Sequence, residues 1–246
     1  MELSRRGQIE RLQVEVARLV ATSPAGERLC LIGGFRYRLL DRSCRASLDI
    51  QYHWEGDLEE KRDQLLALFA RKLLPEVERR LSLEGRADPA TSTMPGGVPD
   101  STFVAGVTLA FYRTDVPGSR LELPVEITRI PVLDAPVART MAGTVYLTAS
   151  DADMAESKVI AVVRRIFLEE RDLVDLFLFQ DALRPDTPPR LKEKLARLSL
   201  APAALEERIA KLRGDLPLHA RGIDRILAEE VDASPGANLE RAGGGR

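Results

Sequence analysis

The stretch Arg45-Ala46-Ser47-Leu48-Asp49-Ile50-Gln51-Tyr52-His53-Trp54 decides the fold, because it alternates without a break. Side chains of a strand point to opposite faces in turn. Leu48, Ile50, Tyr52 and Trp54 therefore share one face, and Ser47, Asp49, Gln51 and His53 the other. This predicts a strand over 47–54 with one packed and one polar face. On the polar face Asp49 and Gln51 stand ~7 Å apart, at a rise of ~3.3 Å per residue. Acidic and amide oxygens offered in this way can hold a divalent cation. The same face also reads as an ordinary solvent-facing surface. His53 falls on it too, which places one histidine near Asp49.

Upstream, Leu29-Cys30-Leu31-Ile32 is a short apolar run that reads as a buried strand, and Gly33-Gly34 ends it before a short helix over Phe35 to Leu40. Backbone N–H groups at such a turn can cradle phosphate oxygens, although most Gly-Gly pairs are plain turns. Ile9, Leu12, Val16, Leu19 and Val20 recur at helical spacing over 4–22, and Ser23-Pro24-Ala25-Gly26 stops that helix.

Downstream, Asp57 caps a long amphipathic helix reaching about Leu83, which Pro75 should kink or divide. Residues 84–100 carry Pro89, Pro95, Gly96, Gly97 and Pro99 and read as one long loop. Two strands follow, with apolar faces at Phe103 to Phe111 and at Leu121 to Ile127. Asp115-Val116-Pro117-Gly118 is the expected hairpin turn between them, and a shorter strand is expected near Gly143 to Leu147. From Ser150 the pattern is helical: one helix to about Leu168, a second from about Glu170 to Leu183, a linker at Pro185 to Pro189, and two or three helices to about Val231. The Gly-rich tail from 233 is expected to be disordered. The fold class is thus α+β, a mixed sheet flanked by helices and followed by a helical C-terminal part.

Composition narrows the chemistry. Of 246 residues 44% are apolar, enough for a sizeable core. Lys plus Arg is 36 against 38 Asp plus Glu, which argues against a broadly basic nucleic-acid coat. Cys30, Cys44, His53 and His219 lack the paired spacing of a Cys/His zinc site and are too few for a disulfide scaffold, so a metal here is expected to rest mainly on oxygen ligands, which suits Mg²⁺ or Mn²⁺. The N-terminus has no apolar signal core and no run of ~18 apolar residues exists, so no membrane span and a cytoplasmic location are expected.

Three further positions stand out. Glu126 lies on the polar face of its strand, where it can supply a third carboxylate to a phosphoryl-transfer site, with Glu122 as its rival on the same face. Lys158 sits among Met154, Ala155, Ala161 and Val162, an apolar setting for an ammonium unless it meets an anion such as a triphosphate, or lies at the edge of the core. Asp172 falls in the first turn of its helix, as a dipole-capping charge or as a partner for Lys158 or Arg171. Arg36, Arg38, Arg42 and Arg45, opposed only by Asp41, could meet an RNA backbone or form a solvated helix face.

Taken in order, Gly33-Gly34, Arg45-Ala46-Ser47-Leu48-Asp49-Ile50, Glu126, Glu156-Ser157-Lys158 and Arg171-Asp172-Leu173-Val174-Asp175 resemble the AbiEii/AbiGii-type nucleotidyltransferase toxins of the DNA polymerase β-like superfamily. The resemblance covers about residues 5–184. It implies a nucleotidyltransferase-like domain over 1–184, and the Pro-rich linker and Gly-rich end set off a helical subdomain over 185–232 and a tail over 233–246. It implies catalytic roles for Asp49, Lys158 and Asp172, nucleotide contacts from Gly33, Gly34, Ser47 and Lys158, and a metal place formed by Asp49, Gln51 and Glu126. The resemblance further implies Mg²⁺ or Mn²⁺, a nucleoside triphosphate as substrate, an RNA (such as tRNA) or protein acceptor, and a cognate antitoxin. One position departs from the family's Asp-x-Asp: this chain has Asp49-Ile50-Gln51. A neutral amide in place of a bridging carboxylate weakens a hard-cation site. The alternative is a catalytically degenerate nucleotide-binding or interaction protein on the same fold.

Overall fold

The computed structural model describes residues 5–93, 103–113, 119–164, 169–198 and 205–212. Seven strands form one mixed sheet: β1 (Cys30–Ile32), β2 (Ile50–His53), β3 (Glu84–Thr93), β4 (Phe103–Tyr112), β5 (Leu121–Thr128), β6 (Val137–Met141) and β7 (Thr144–Thr148), in the order β3-β4-β5-β2-β1-β7-β6. β2 runs parallel to β5 and β1 parallel to β7, and every other neighbouring pair is antiparallel. The helices are α1 (Arg5–Ala21), α2 (Gly33–Asp41), α3 (Leu58–Leu68), α4 (Leu74–Leu81), α5 (Asp151–Arg164), α6 (Glu170–Phe179) and α7 (Thr187–Arg197). Residues 205–212 are also helical. The α+β class and the mixed sheet flanked by helices are as the pattern of elements along the chain predicts.

The main core lies where α1, α3 and α4 cover the sheet: Leu12, Val16 and Val20 meet Leu65, Phe69, Ile50, Leu109, Leu123 and Ile127. Each such side chain, fully buried, contributes about 1.5–3 kcal/mol of apolar transfer. A smaller cluster of Ile32, Tyr37, Ala149 and Met154 joins α2 to the start of α5, and Tyr37 stacks on Phe179 with ring centres 3.9 Å apart.

Several elements differ from the sequence reading. Residues 84–93 are a ten-residue strand rather than loop. Pro89 and a polar composition disguise β3, and both are tolerated because β3 is an edge strand that needs partners on one side only. Residues 94–100 of that expected loop lie outside the described residues, as do the 115–118 turn, residues 165–168, everything from 213 to Val231 and the tail over 233–246. β6 escapes the reading because its five residues are edge residues without alternating burial. Regular pairing in β2 begins only at Ile50, so Ser47 and Asp49 sit on the approach to the strand. The division expected at Pro75 takes the form of a π-helical turn, Phe69–Leu73, between α3 and α4. There the Leu74 N–H donates to the Phe69 carbonyl, five residues back. Proline has no N–H to continue the regular ladder, and the register slips just before it.

Within 185–189, α7 starts at Thr187 with Pro188 in its first turn, where a missing N–H costs nothing. α7 is held by buried charge. Lys194 is fully buried between Asp153 at 2.6 Å and Glu156 at 2.7 Å, and Arg190 reaches Glu156, Asp134 and Asp153.

Candidate functional site

The site is assembled around the turn from β1 into α2. Gly33 has φ +75°, a left-handed conformation open to glycine. The pair 33–34 is also crowded: a Cβ on Gly33 would collide with the Gln51 amide oxygen, and one on Gly34 with the Arg45 guanidinium and the Ser47 hydroxyl. Glycine is needed because three side chains press against this backbone. α2 begins without a side-chain cap at Ile32, so no capping side chain takes its first N–H groups. Such an end, with the positive pole of the helix dipole, suits an anion.

Ser47 and Asp49 lie on the approach to β2. The Ser47 hydroxyl donates to Asp49 Oδ1 at 2.7 Å. Gln13, a buried polar residue on the inner face of α1, donates from Nε2 to the Ser47 carbonyl at 2.9 Å and to the Asp49 carbonyl at 3.3 Å. The loop that carries the aspartate is thereby pinned to the first helix. On β2 itself, Gln51 stands opposite Glu126 in the parallel register, and its Nε2 donates to Glu126 Oε2 at 2.8 Å. Glu122, four residues earlier on the same face of β5, is exposed and pairs with Arg120. Of the two candidate glutamates, Glu126 is the one beside Gln51.

Lys158 reaches inward from α5. Its Nζ meets Asp172 Oδ1 at 2.9 Å and Asp175 Oδ2 at 2.8 Å, both on α6. Asp175 also accepts two hydrogen bonds from Arg45, at 2.6 and 2.9 Å. Burial pushes the Asp175 carboxyl up, but Lys158 and Arg45 outweigh it and hold the pKa below the usual carboxylate value. The four groups form a neutral quartet of two cations and two anions, and Arg45 ties it to the Gly34–Ser47 side of the site.

Gln13, Arg45 and Asp175 are therefore part of the site without having been singled out as site residues. Their signals were present: a glutamine on the apolar face of a helix, an arginine two residues before the serine, and Asp172 and Asp175 three apart on one helical face. The arginines at 36–45 form neither an open RNA-facing cluster nor a solvated helix face. Arg36 is buried and paired with Asp41 and Asp151, Arg38 with Glu10, and Arg45 with Asp175, so three of the four serve internal contacts. Arg42 is exposed. His53 is committed elsewhere as well. Its Nδ1 accepts from the Ile130 N–H at 3.1 Å and its Nε2 faces Glu55 at 2.9 Å, which fixes the exit of β5.

Beside Ser47 opens a groove of about 980 Å³. Arg5, Arg6, Arg38, Arg120 and Arg171 line it against two acids, Glu10 and Glu122, with Ile9, Leu48 and Pro124 as apolar wall. Leu48 is 62% exposed, so the apolar face predicted for 47–54 begins at Ile50 and Leu48 turns outward. Arg171 carries a guanidinium whose pKa is raised first by Glu169 and also by Asp49, which places it within the field of the aspartate.

Among the described residues no group of three or more His, Cys, Asp or Glu could hold a metal ion. The oxygen donors at the turn are the two carboxylates of Asp49 and Glu126 and the amide oxygen of Gln51. That donor chemistry suits one hard cation completed by ligand oxygens and is short of charge for a bridged pair. No described helix is long and apolar enough to cross a membrane.

No family model and no curated protein matches the chain. Solved structures do. A Helicobacter pylori protein described as a candidate nucleotidyltransferase is similar at a TM-score of 0.50 and 16% identity, over 92% of this chain and 99% of that one. JHP933 from the same organism is similar at 0.48 and 15%, over 95% and 99%. MenT4, a nucleotidyltransferase toxin from Mycobacterium tuberculosis, is similar at 0.47 and 14%, over 92% and 93%. The first of these supports a nucleotidyltransferase-like fold for the chain.

Proposed function

We propose that the chain is a metal-dependent nucleotidyltransferase that moves a nucleotide from a nucleoside triphosphate to a hydroxyl of RNA, tRNA included, as the toxin of a toxin–antitoxin pair. One observation carries the reading: Ser47–Asp49, Gln51–Glu126 and the Lys158 quartet, distant in sequence, converge on the Gly33-Gly34 turn. The motif order resembling the AbiEii-type toxins supports the class of reaction, the toxin role and a cognate antitoxin.

Asp49 and Glu126, with the Gln51 amide oxygen, would hold Mg²⁺ or Mn²⁺. The ion would supply charge neutralisation at the α-phosphate. The protein's own groups position the substrate. Uncapped N–H groups of α2 receive phosphate oxygens. Lys158 exchanges one of its two carboxylate partners for the triphosphate, and the Ser47 hydroxyl turns between Asp49 and a phosphate oxygen. An acceptor hydroxyl then attacks the α-phosphorus in line. The bond to the β-phosphate breaks, pyrophosphate leaves, and the hydroxyl proton is lost to solvent. The arginine-lined groove beside Ser47 is the entry for the acceptor's phosphodiester backbone.

A second reading rests on the Gln51–Glu126 hydrogen bond: a nucleotide-binding relative that has lost transfer because its second aspartate is gone. Labelling of RNA by each of the four radiolabelled triphosphates, with Mg²⁺ or Mn²⁺, separates the two. Transfer by the wild-type protein supports the first reading, and transfer seen only in Gln51→Asp supports the second.

A further inference from the structure

We infer that Gln51 acts as a latch on Glu126 that keeps the nucleotide-free site from holding a divalent cation pair, so that the cation arrives with the triphosphate. The inference rests on reading Asp49 and Glu126 as the metal-facing carboxylates of a nucleotidyl-transfer site. Four observations support it. First, the contact is framed by the backbone. Gln51 and Glu126 are register partners in the parallel β2–β5 pair, so the two side chains leave neighbouring strands side by side. Second, the amide is oriented. Its NH₂ donates to Glu126 Oε2 at 2.8 Å, while its oxygen fills the space where a Cβ of Gly33 would stand. An ionised carboxylate only accepts, so the amide presents its nitrogen to Glu126.

Third, both carboxylates already have an internal donor. Ser47 gives its hydroxyl proton to Asp49 just as Gln51 gives an amide proton to Glu126. A cation entering alone must displace these donors, and gains only two negative charges in return. Fourth, among the described residues no third acidic or imidazole group completes a cluster. A triphosphate changes the balance, because it brings several anionic oxygens with the ion and leaves the protein to supply only part of the shell. The affinity of hard-cation sites is tuned by the number of charged ligands. Replacing the latch by a carboxylate sets a third acid against Glu126.

The test is Mn²⁺ titration of the nucleotide-free protein, following the free-ion signal by electron paramagnetic resonance. It compares wild type, Gln51→Glu, Gln51→Asp and Asp49→Ala, with circular dichroism to establish that each variant is folded. Gln51→Glu or Gln51→Asp should bind Mn²⁺ at least about tenfold more tightly than wild type, since each adds a charged ligand. Asp49→Ala should bind no better than wild type. Tight binding of two Mn²⁺ per chain by the nucleotide-free wild type would overturn the latch whatever the variants do. So would folded Gln51→Glu and Gln51→Asp proteins that bind no more tightly than wild type. The outcome is separate from nucleotidyl transfer. A chain that labels no RNA but gains Mn²⁺ binding in these variants loses the proposed activity and keeps the latch.

Discussion

Arg45 and Asp175, 130 residues apart in sequence, form a buried two-toothed ion pair, with Nε to Oδ1 at 2.6 Å and Nη2 to Oδ2 at 2.9 Å. It fastens the loop before β2 to α6, and Asp175 Oδ2 also receives Lys158. Asp175 is thus a positioning residue for the lysine proposed to hold the triphosphate. Removing one partner of a buried pair costs about 3–5 kcal/mol, because the other charge is left uncompensated. Asp175→Ala should lower the urea midpoint accordingly. Asp175→Asn, which keeps an acceptor for Arg45, should lose less. An unchanged midpoint in Asp175→Ala contradicts the buried pair.

Acid should weaken the helical part in a defined direction. The Asp134 carboxyl is drawn from an ordinary value of 3.8 down to about 2, first by the Ser150 hydroxyl and then, against burial, by Arg190 and Arg184. Asp175 is shifted the same way. A carboxyl whose folded pKa lies below its unfolded value stabilises fully above the unfolded value, and loses that contribution as pH falls through the folded one. Stability measured by urea denaturation should therefore drop between about pH 4 and pH 2. Asp134→Asn should flatten that slope while leaving the remainder contributed by Asp175.

α7 offers a sharper test of buried charge. Lys194→Met keeps the length of the side chain but leaves Asp153 and Glu156 facing each other without their ammonium. The expected loss is about 3–5 kcal/mol. Trypsin should cut after Arg190 and Arg197 sooner in this variant than in wild type. Equal rates would show that Lys194 does not hold α7 down.

Gly33 and Gly143 form a natural pair for comparison. Their φ angles are +75° and +77°, but a Cβ on Gly33 meets the Gln51 amide, whereas one on Gly143 meets nothing within 4 Å. Both alanine variants pay the left-handed strain, roughly 1–2 kcal/mol. Gly33→Ala should lower the melting temperature further than Gly143→Ala, by the cost of displacing Gln51. Equal shifts would remove the contact from the account.

Much of this was readable where one segment carries its own signal. Alternation around Ile50–His53, the apolar faces of β4 and β5 and the periodic helices need no partner to be recognised. Ser47 and Asp49 stand out through their two-residue spacing and do meet, although the strand itself begins only at Ile50, and Lys158 stands out as an ammonium in an apolar helical setting that calls for an anion. Arg45–Asp175 was not legible, since no local rule joins residues 130 positions apart. β3 was hidden by Pro89, which only its edge position permits. Gln51 shows the remaining limit. Its identity shows only an amide where the resembling family has a carboxylate, and only the β2–β5 register shows that this amide turns to Glu126.

The central claim is nucleotidyl transfer at the Gly33-Gly34 turn, and transfer of radiolabel from each of the four nucleoside triphosphates to total RNA tests it most directly. Wild-type protein with Mg²⁺ or Mn²⁺ should label RNA. Asp49→Ala and Lys158→Ala, verified as folded, should abolish the label. No label from wild type with any triphosphate, together with label gained in Gln51→Asp, would contradict the account and leave a fold whose site has decayed.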